Sequence, residues 1–272
     1  MNLSDLRQSP HLSASSIGDY IECGLLYRFG RIDRLPMEFT PDAMEFGTTI
    51  HLVLATFYQE KMSSHRIPLK DLHRIFELQW REAAEDNADI RYAKGRDFQS
   101  YLMQGTDMLT TWYNKMAEDE SFHVLSVEEA FQFSIPELPI PIIGAMDLIE
   151  EDGSGAVIIT DWKTAGRAYS ADEVNRNQQM TMYQLAAKSN GCGDRDILLR
   201  FDCLLKTQKP RFEQYYTVRT EIDERRLIRK IRKVWEGISR GVFVPNDTSW
   251  KCNTCHYRQA CDHWFLEEQE GL

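Results

Sequence analysis

The amino-acid sequence predicts an α/β fold, a mixed sheet of about five strands flanked by helices. Three observations carry that expectation. Five β-rich runs follow one another between Val124 and Arg219. Long segments of helical periodicity precede, interrupt and follow them. With 272 residues, 42% of them hydrophobic, the chain can fill a sizeable core.

In chain order, the run from Leu12 to Ile32 reads as a capped helix: serines at its start, Asp19 in its first turn, then Ile17, Tyr20, Ile21 and Leu25 at helical spacing. Cys23 falls inside it, where a small buried hydrophobe is expected. The run from Asp42 to Met62 follows Pro41 and is apolar almost all round, including Ile50, Leu52, Val53, Leu54, Phe57 and Tyr58, which predicts a buried helix. Gly47 and His51 share one face of it; a glycine there would let another backbone approach and leave the imidazole as the nearest functional group. Leu69 to Ile90 and Arg96 to Glu118 add two helical patterns rich in aromatics such as Trp80, Phe98, Tyr101 and Trp112, read as core packing.

Val124 to Ile135 reads as a strand, in which Glu128 and Glu129 belong to a solvated face, and prolines 136, 139 and 141 mark an extended connection. Ile142 to Ile149 and Ala156 to Trp162 are further strands, joined by the acidic, glycine-containing turn Glu150 to Gly155. Asp172 to Ser189 is expected as a helix with Gln179 and Tyr183 one turn apart on one face, able to address the same phosphate or lysine. Ile197 to Leu205 and Phe212 to Arg219 complete the sheet, with Cys192 and Cys203 taken as structural. Thr220 to Arg240 is the last long helix, opened by Thr-Glu-Ile-Asp, with Leu227, Ile231, Val234, Trp235 and Ile238 as its buried stripe.

The central hairpin carries the chemistry. Strand side chains alternate, so Asp161 and Lys163 point the same way. Asp147 and Asp161 are symmetric about Ser154, which brings the carboxylates opposite each other. A divalent cation would relieve their repulsion and present its ligand to the ammonium of Lys163. That is the outline of a site for phosphodiester cleavage.

The formal charge of −10 argues at first against a nucleic-acid partner, but it is unevenly spread: Arg195 to Arg240 holds 13 Lys and Arg against 7 Asp and Glu, leaving a net of −16 elsewhere. Within that basic stretch Arg225, Arg226, Arg229, Lys230, Arg232 and Lys233 flank the buried stripe of the last helix, as a phosphate-backbone surface or as a solvated face. The N-terminal residues have no apolar core of signal-peptide length, and no run approaches the roughly 18 apolar residues of a membrane span, so a cytoplasmic protein without membrane contact is expected. No Gly-x4-Gly-Lys-Ser/Thr motif occurs, so any helicase would be a separate subunit.

Six cysteines in such a chain point to thiol or metal chemistry rather than disulfides. Cys252, Cys255 and Cys261 form a Cys-x2-Cys-x5-Cys array, three local ligands for a zinc or [4Fe–4S] site that needs four. His256 or His263 could complete a zinc ribbon, and Cys23 could complete an all-thiolate cluster by folding the first helix against the tail.

Taken in order, LSASSIGDYIEC, Gly47-x-x-x-His51, Gly144-x-x-Asp147, Asp161-Trp-Lys163, Gln179-x-x-x-Tyr183 and Cys-x2-Cys-x5-Cys resemble the PD-(D/E)XK nuclease superfamily, specifically its RecB-like branch with an iron–sulfur cluster, which includes the CRISPR adaptation nuclease. The resemblance spans nearly the whole chain. It implies a restriction-endonuclease-like core at 123–240, a helical lobe at 42–118, and an iron–sulfur region built from 12–32 and 245–272, all within one nuclease domain over 1–272. It implies that His51, Asp147, Asp161 and the backbone carbonyl of Trp162 bind catalytic Mg²⁺ or Mn²⁺. Lys163 would orient or activate the attacking water, and Gln179 and Tyr183 would hold the lysine or a DNA phosphate. Cys23, Cys252, Cys255 and Cys261 would hold a [4Fe–4S] cluster. Glycine follows Cys23 where the family usually has proline, Trp162 stands where tyrosine is common, and the Pro-Asp of the superfamily's name is absent.

The function so implied is that of a metal-dependent single-strand DNA exonuclease of repair, recombination or CRISPR-type processing, with a helicase or CRISPR/recombination protein as partner. A non-catalytic DNA-binding or scaffolding subunit of such a complex is the alternative, and an iron–sulfur electron carrier would leave the central hairpin unexplained.

Overall fold

The computed structural model describes residues 2–267. Its main sheet has five strands: β1 (His123–Phe133), β2 (Ile142–Glu151), β3 (Val157–Ala165), β4 (Ile197–Leu205) and β5 (Arg211–Thr217), lying side by side in that order. All neighbours are antiparallel except β3 and β4, which run parallel. A parallel pair needs a crossover, and the segment between these strands supplies it with helical structure. The tight turn from β2 to β3 is held by Asp152, whose Oδ1 accepts from the backbone N–H of Ser154 and Ala156 at 2.8 and 2.9 Å. Gly155 takes the positive φ of +87° that this turn requires.

The longer helices are α1 (Ala14–Glu22), α2 (Asp42–Met62), α3 (Leu69–Ala84), α4 (Phe98–Met116), α5 (Gln178–Ala187), α6 (Glu221–Ser239) and α7 (Arg258–Glu267). They cover the sheet from both sides and divide the interior into two cores. Val157, Ile159, Phe201 and Cys203 pack with Ile17, Met180, Tyr183, Leu227 and Ile231 from α1, α5 and α6. Trp162 and Leu204 pack with Phe46, Tyr58, Trp80 and Trp112 from α2, α3 and α4. Strand alternation sends neighbouring residues to different cores. The aromatics of α3 and α4 are core, as expected: Trp80 and Trp112 are fully buried and Tyr101 nearly so.

Beneath α2 and α4 lies a charged group with no access to water. Arg200 of β4 is ion-paired with Glu150 of β2 at 2.7 Å and with Asp202 at 2.9 Å. Gln214 of β5 donates to Asp202 at 3.0 Å. The sequence LLRFDCLL reads as an ordinary strand and gave no sign of it.

Four expectations need correction. The run 12–32 is not one helix: α1 is capped by Ser13 and Ser16, so Asp19 lies beyond its first turn, and it ends at Cys23, whose backbone is extended. The chain then restarts as a short turn, Gly24–Tyr27, followed by a wide turn at Arg28–Ile32. Gly24 explains the break. Its N–H donates to Val244 O at 2.8 Å, and a Cβ there would stand 2.5 Å from the Phe243 and Val244 backbone. Cys23 is consequently half-buried rather than core. In α2, Leu52 is half exposed, so that helix has one solvent face. The run 172–189 is split into Ala171–Asn175 and α5, because Asn177 caps α5 and the buried guanidinium of Arg219 takes the carbonyls of Val174 and Asn177 at 2.9 and 3.2 Å.

A third, small cluster joins the chain ends. Leu25, Phe29 and Tyr257 are its buried centre, with Cys23, Cys255, Cys261 and Trp264 packed against it. The expected 1–272 domain and 245–272 region extend past the described residues, so Met1 and residues 268–272 lie outside them. No helix among the described residues is long and apolar enough to cross a membrane.

Candidate active site

The ladder between β2 and β3 runs from Glu151 with Val157 to Leu148 with Thr160. One step further the register sets Asp147 against Asp161, and there a side chain replaces the ladder: the backbone N–H of Trp162 donates to Asp147 Oδ2 at 2.7 Å. Alternation along β2 breaks at the same place. Met146 and Ile149 belong to the core under α1, α5 and α6, and Leu148 to the other. On the other side, β1 pairs Val127 with Leu148 and Glu129 with Met146, so Glu128 lies opposite Asp147.

His51 arrives from α2. Its Nδ1 is 3.5 Å from Asp147 Oδ2, and its ring meets Trp162 edge-on at 5.8 Å. Trp162 is fully buried and stacked on Tyr58, which anchors the strand backbone on which Asp161 and Lys163 sit. One donor atom each from His51, Glu128 and Asp147 lie within 4.8 Å of one another. Gly47 does not meet another backbone: a Cβ added to it would make ordinary contact, 3.5 Å, with the Thr164 hydroxyl.

The second half of the site is a closed hydrogen-bond circuit. Lys163 is ion-paired with Asp161 Oδ2 at 2.5 Å and donates to Gln179 Oε1 at 3.1 Å. Gln179 Nε2 donates to the Tyr183 hydroxyl at 2.7 Å, and that hydroxyl donates to Asp161 Oδ1 at 3.0 Å. Each member both orients and is oriented, and such chains strengthen one another at low local dielectric. The residues expected from spacing at 147, 161, 163, 179, 183 and 51 are thus brought to one place.

The charge states follow from burial. Asp147 is pushed well above the usual carboxylate range, first by burial and then by the charge of Asp161. The carboxyl of Glu128 rises for the same two reasons: the residue as a whole is exposed, but its acid group faces inward. Burial lowers His51, keeping its imidazole neutral with a lone pair to give. Burial alone would depress Lys163, but Asp161 overrides it and the ammonium is held above its ordinary value. Two carboxyl groups whose charge is unwelcome, beside a neutral imidazole, are a donor set that a divalent cation fits. An ammonium held protonated is a hydrogen-bond donor and a positive charge, not a base.

Glu128 is the residue that spacing did not single out. Its opposition to Asp147 was recoverable from the strand pairing, but its inward turn was not: it has a left-handed backbone, φ +52°, which no sequence pattern around it demands.

The basic stripe of α6 is exposed, with Arg225, Arg232 and Lys233 ion-paired to Glu221, Glu137 and Glu236, and Arg226 3.9 Å from Asp223. Arg229 and Lys230 make no ion pair among the described residues. At the chain ends, Cys23, Cys252, Cys255 and Cys261 all line one cavity of about 480 Å³. Asn246 N–H donates to Cys23 Sγ at 3.4 Å, and Cys252 Sγ donates to Asn246 O at 3.3 Å. His256 also lines the cavity, its ring against Tyr257; His263 does not line it. Cys203 is fully buried, its thiol raised to about 12 by burial, as suits a structural role.

Comparison with known proteins agrees with this geometry. No match was found among curated proteins. Among solved structures the fold is similar to that of a candidate exonuclease from Eubacterium rectale, with 12% identity, a TM-score of 0.54, and coverage of 90% of this chain and 87% of that one. A second, SSO0001, gives 10% identity over 90% and 92% of the two chains at a TM-score of 0.36, too low to carry weight. The sequence pattern of the PD-(D/E)XK nuclease superfamily matches residues 11–262. With that match spanning nearly its whole length, and with a five-stranded mixed sheet holding an acid–acid–lysine site, the chain belongs to the PD-(D/E)XK nuclease superfamily.

Proposed function

We propose that the chain is a RecB-like, metal-dependent DNA exonuclease acting on single strands in repair, recombination or CRISPR-type processing. The observation that carries this reading is the circuit Lys163–Gln179–Tyr183–Asp161 closing beside His51 and Asp147. The name borne by the Eubacterium rectale neighbour supports the exonuclease part.

His51, Asp147 and Asp161, with the carbonyl of Trp162, would hold Mg²⁺ or Mn²⁺, and the imidazole favours Mn²⁺. When bound, that ion supplies a Lewis acid for the scissile phosphate and lowers the pKa of its water. The chain's own residues do the rest. Lys163, kept protonated, donates to a phosphate oxygen and to the attacking water, so its charge grows in value as negative charge builds on phosphorus. Gln179 and Tyr183 keep the ammonium on that line. Trp162 excludes water from behind the carboxylates, and its N–H fixes which oxygen of Asp147 faces the site. Arg229 and Lys230 offer unpaired charge for the DNA backbone, with Arg225, Arg226, Arg232 and Lys233 around them.

Cys23, Cys252, Cys255 and Cys261 are the proposed ligands of a [4Fe–4S] cluster. A tetrahedral zinc site with bonds near 2.3 Å would need sulfurs about 3.8 Å apart. No three of these four sulfurs lie within 4.8 Å of one another, a spread better suited to four separate irons. The corresponding division is a lobe at 42–118, a core at 123–240, and a cluster region from 12–32 and 245–272.

The test is a time course on end-labelled single-stranded DNA with anaerobically purified protein, Mn²⁺, and Lys163→Ala alongside. Degradation by the wild type that the substitution abolishes supports the nuclease; intact substrate with both proteins would replace it by a DNA-binding or scaffolding role.

A further inference from the structure

We propose that Glu128 is a direct ligand of the catalytic divalent metal, making with His51 and Asp147 a three-donor set that is complete before Asp161 leaves Lys163. The inference rests on the metal-dependent reading above and adds a residue to it.

Four observations lead there. Strand pairing sets Glu128 opposite Asp147. Its φ of +52° is rare for a side-chain-bearing residue inside a strand and costs on the order of 1 kcal/mol or more. This backbone turn takes the side chain out of the strand's alternation; Glu129, which keeps normal strand geometry, instead accepts from Ser126 Oγ at 2.5 Å. Donor atoms of Glu128, His51 and Asp147 already lie within 4.8 Å. Opposite ligands of an octahedral ion at about 2.1 Å stand about 4.2 Å apart, so the three need close by only tenths of an ångström.

Asp161 supplies the complementary argument. Both its oxygens are taken, one by Lys163 and one by Tyr183. Without Glu128 the donors free to meet an ion would be one carboxylate and one imidazole. With it they carry two negative charges, which balance a divalent cation. Glu128 also stands on the solvent side of the three, the side from which an ion enters, whereas Asp147 is buried. The ion can therefore be captured while the Lys163–Asp161 pair stays intact.

The test is Mn²⁺ binding to the metal-free full-length protein, followed by calorimetry and by the Mn²⁺ electron paramagnetic resonance signal, with no DNA present. Variants are Glu128→Gln, Glu128→Gly and Glu129→Gln, with His51→Ala and Asp147→Asn as controls and metal-free thermal melts to show folding. Loss of even an outer partner of a ligand costs about 10–100-fold in metal affinity, so Glu128→Gln should weaken Mn²⁺ at least tenfold. Glu129→Gln, which removes the same charge one residue away, should change it less than about twofold. Glu128→Gly suits the left-handed backbone, so it should melt no lower than Glu128→Gln and still bind weakly. If Glu128→Gln binds as the wild type does while His51→Ala and Asp147→Asn do not, the inference is overturned and the metal site stands. Equal weakening by Glu128→Gln and Glu129→Gln would also overturn it, leaving only a field effect. If neither control weakens binding, the metal reading falls and this inference falls with it.

Discussion

The lysine circuit and the cysteine cavity are organised in opposite ways. In the circuit every polar group answers another, and its members stand on β3 and α5, elements fixed by the core. In the cavity the thiols meet across a seam between segments more than 200 residues apart, stitched by Gly24 to Val244, Asn246 to Glu22 and Lys251 to Glu22. Burial, followed by the charges of Cys23 and its neighbours, raises Cys261 to about 11. Cys255 is also raised, first by burial. Thiols so placed resist becoming thiolates until a positive group joins them. The circuit is preorganised by the protein alone; the cavity is finished by what it binds.

The largest test of that contrast is Cys252→Ala. It should abolish bound iron and the brown absorbance of anaerobically purified protein and lower solubility, activity being lost through the fold; a colourless wild type with stoichiometric zinc would remove the cluster. Lys163→Ala should do the reverse: keep iron and fold, and lose on the order of 10²-fold or more in DNA cleavage rate. A rate near wild type would take Lys163 out of the mechanism. Gly24→Ala drives a methyl into the Val244 backbone and should cost about 1–3 kcal/mol in denaturant unfolding, with rate per folded molecule unchanged. Tyr183→Phe deletes one link of the circuit and should lower the rate about tenfold at nearly constant thermal midpoint. The smallest effect concerns pH. Asp147 has a raised folded-state value, so the metal-free fold takes up a proton and loses stability as pH rises from 3.8 through that raised value. Mg²⁺ displaces that proton. The gain in melting temperature on adding it should therefore grow with pH over this window, by about 2–4 °C for each kcal/mol; a pH-independent gain would place the ion elsewhere.

Much of the site was legible because it depends on short-range rules. A turn-forming run between two β-rich runs fixes the hairpin, and its symmetry about Ser154 brings Asp147 to Asp161. Helical spacing alone puts Gln179 and Tyr183 together. What stayed hidden depends on partners distant in sequence. Cys23 ends a helix because Gly24 must dock on Val244, and α5 begins late because Arg219 takes two carbonyls that a continuous helix would keep. Glu128 reads as one acid of a solvated pair until the backbone turns it inward. Arg200 and Asp202 alternate like any polar residues facing water, and only the lobe above them makes that face dry.

That dry ion group bears on how the sheet is proofread. Leucines are frequent along β4, and sliding it by two residues would keep each side chain on its own face and much of the apolar contact. Hydrophobicity discriminates poorly against such an error. The slide would carry Arg200 away from Glu150, two strands over, and strand three charges in a region without water, a penalty of several kcal/mol. β4 contributes no residue to cleavage, yet its arginine keeps β2 and β4 in step across β3. A misassembled sheet, in which Asp161 and Lys163 would face the wrong neighbours, is rejected by a charge that never meets the substrate.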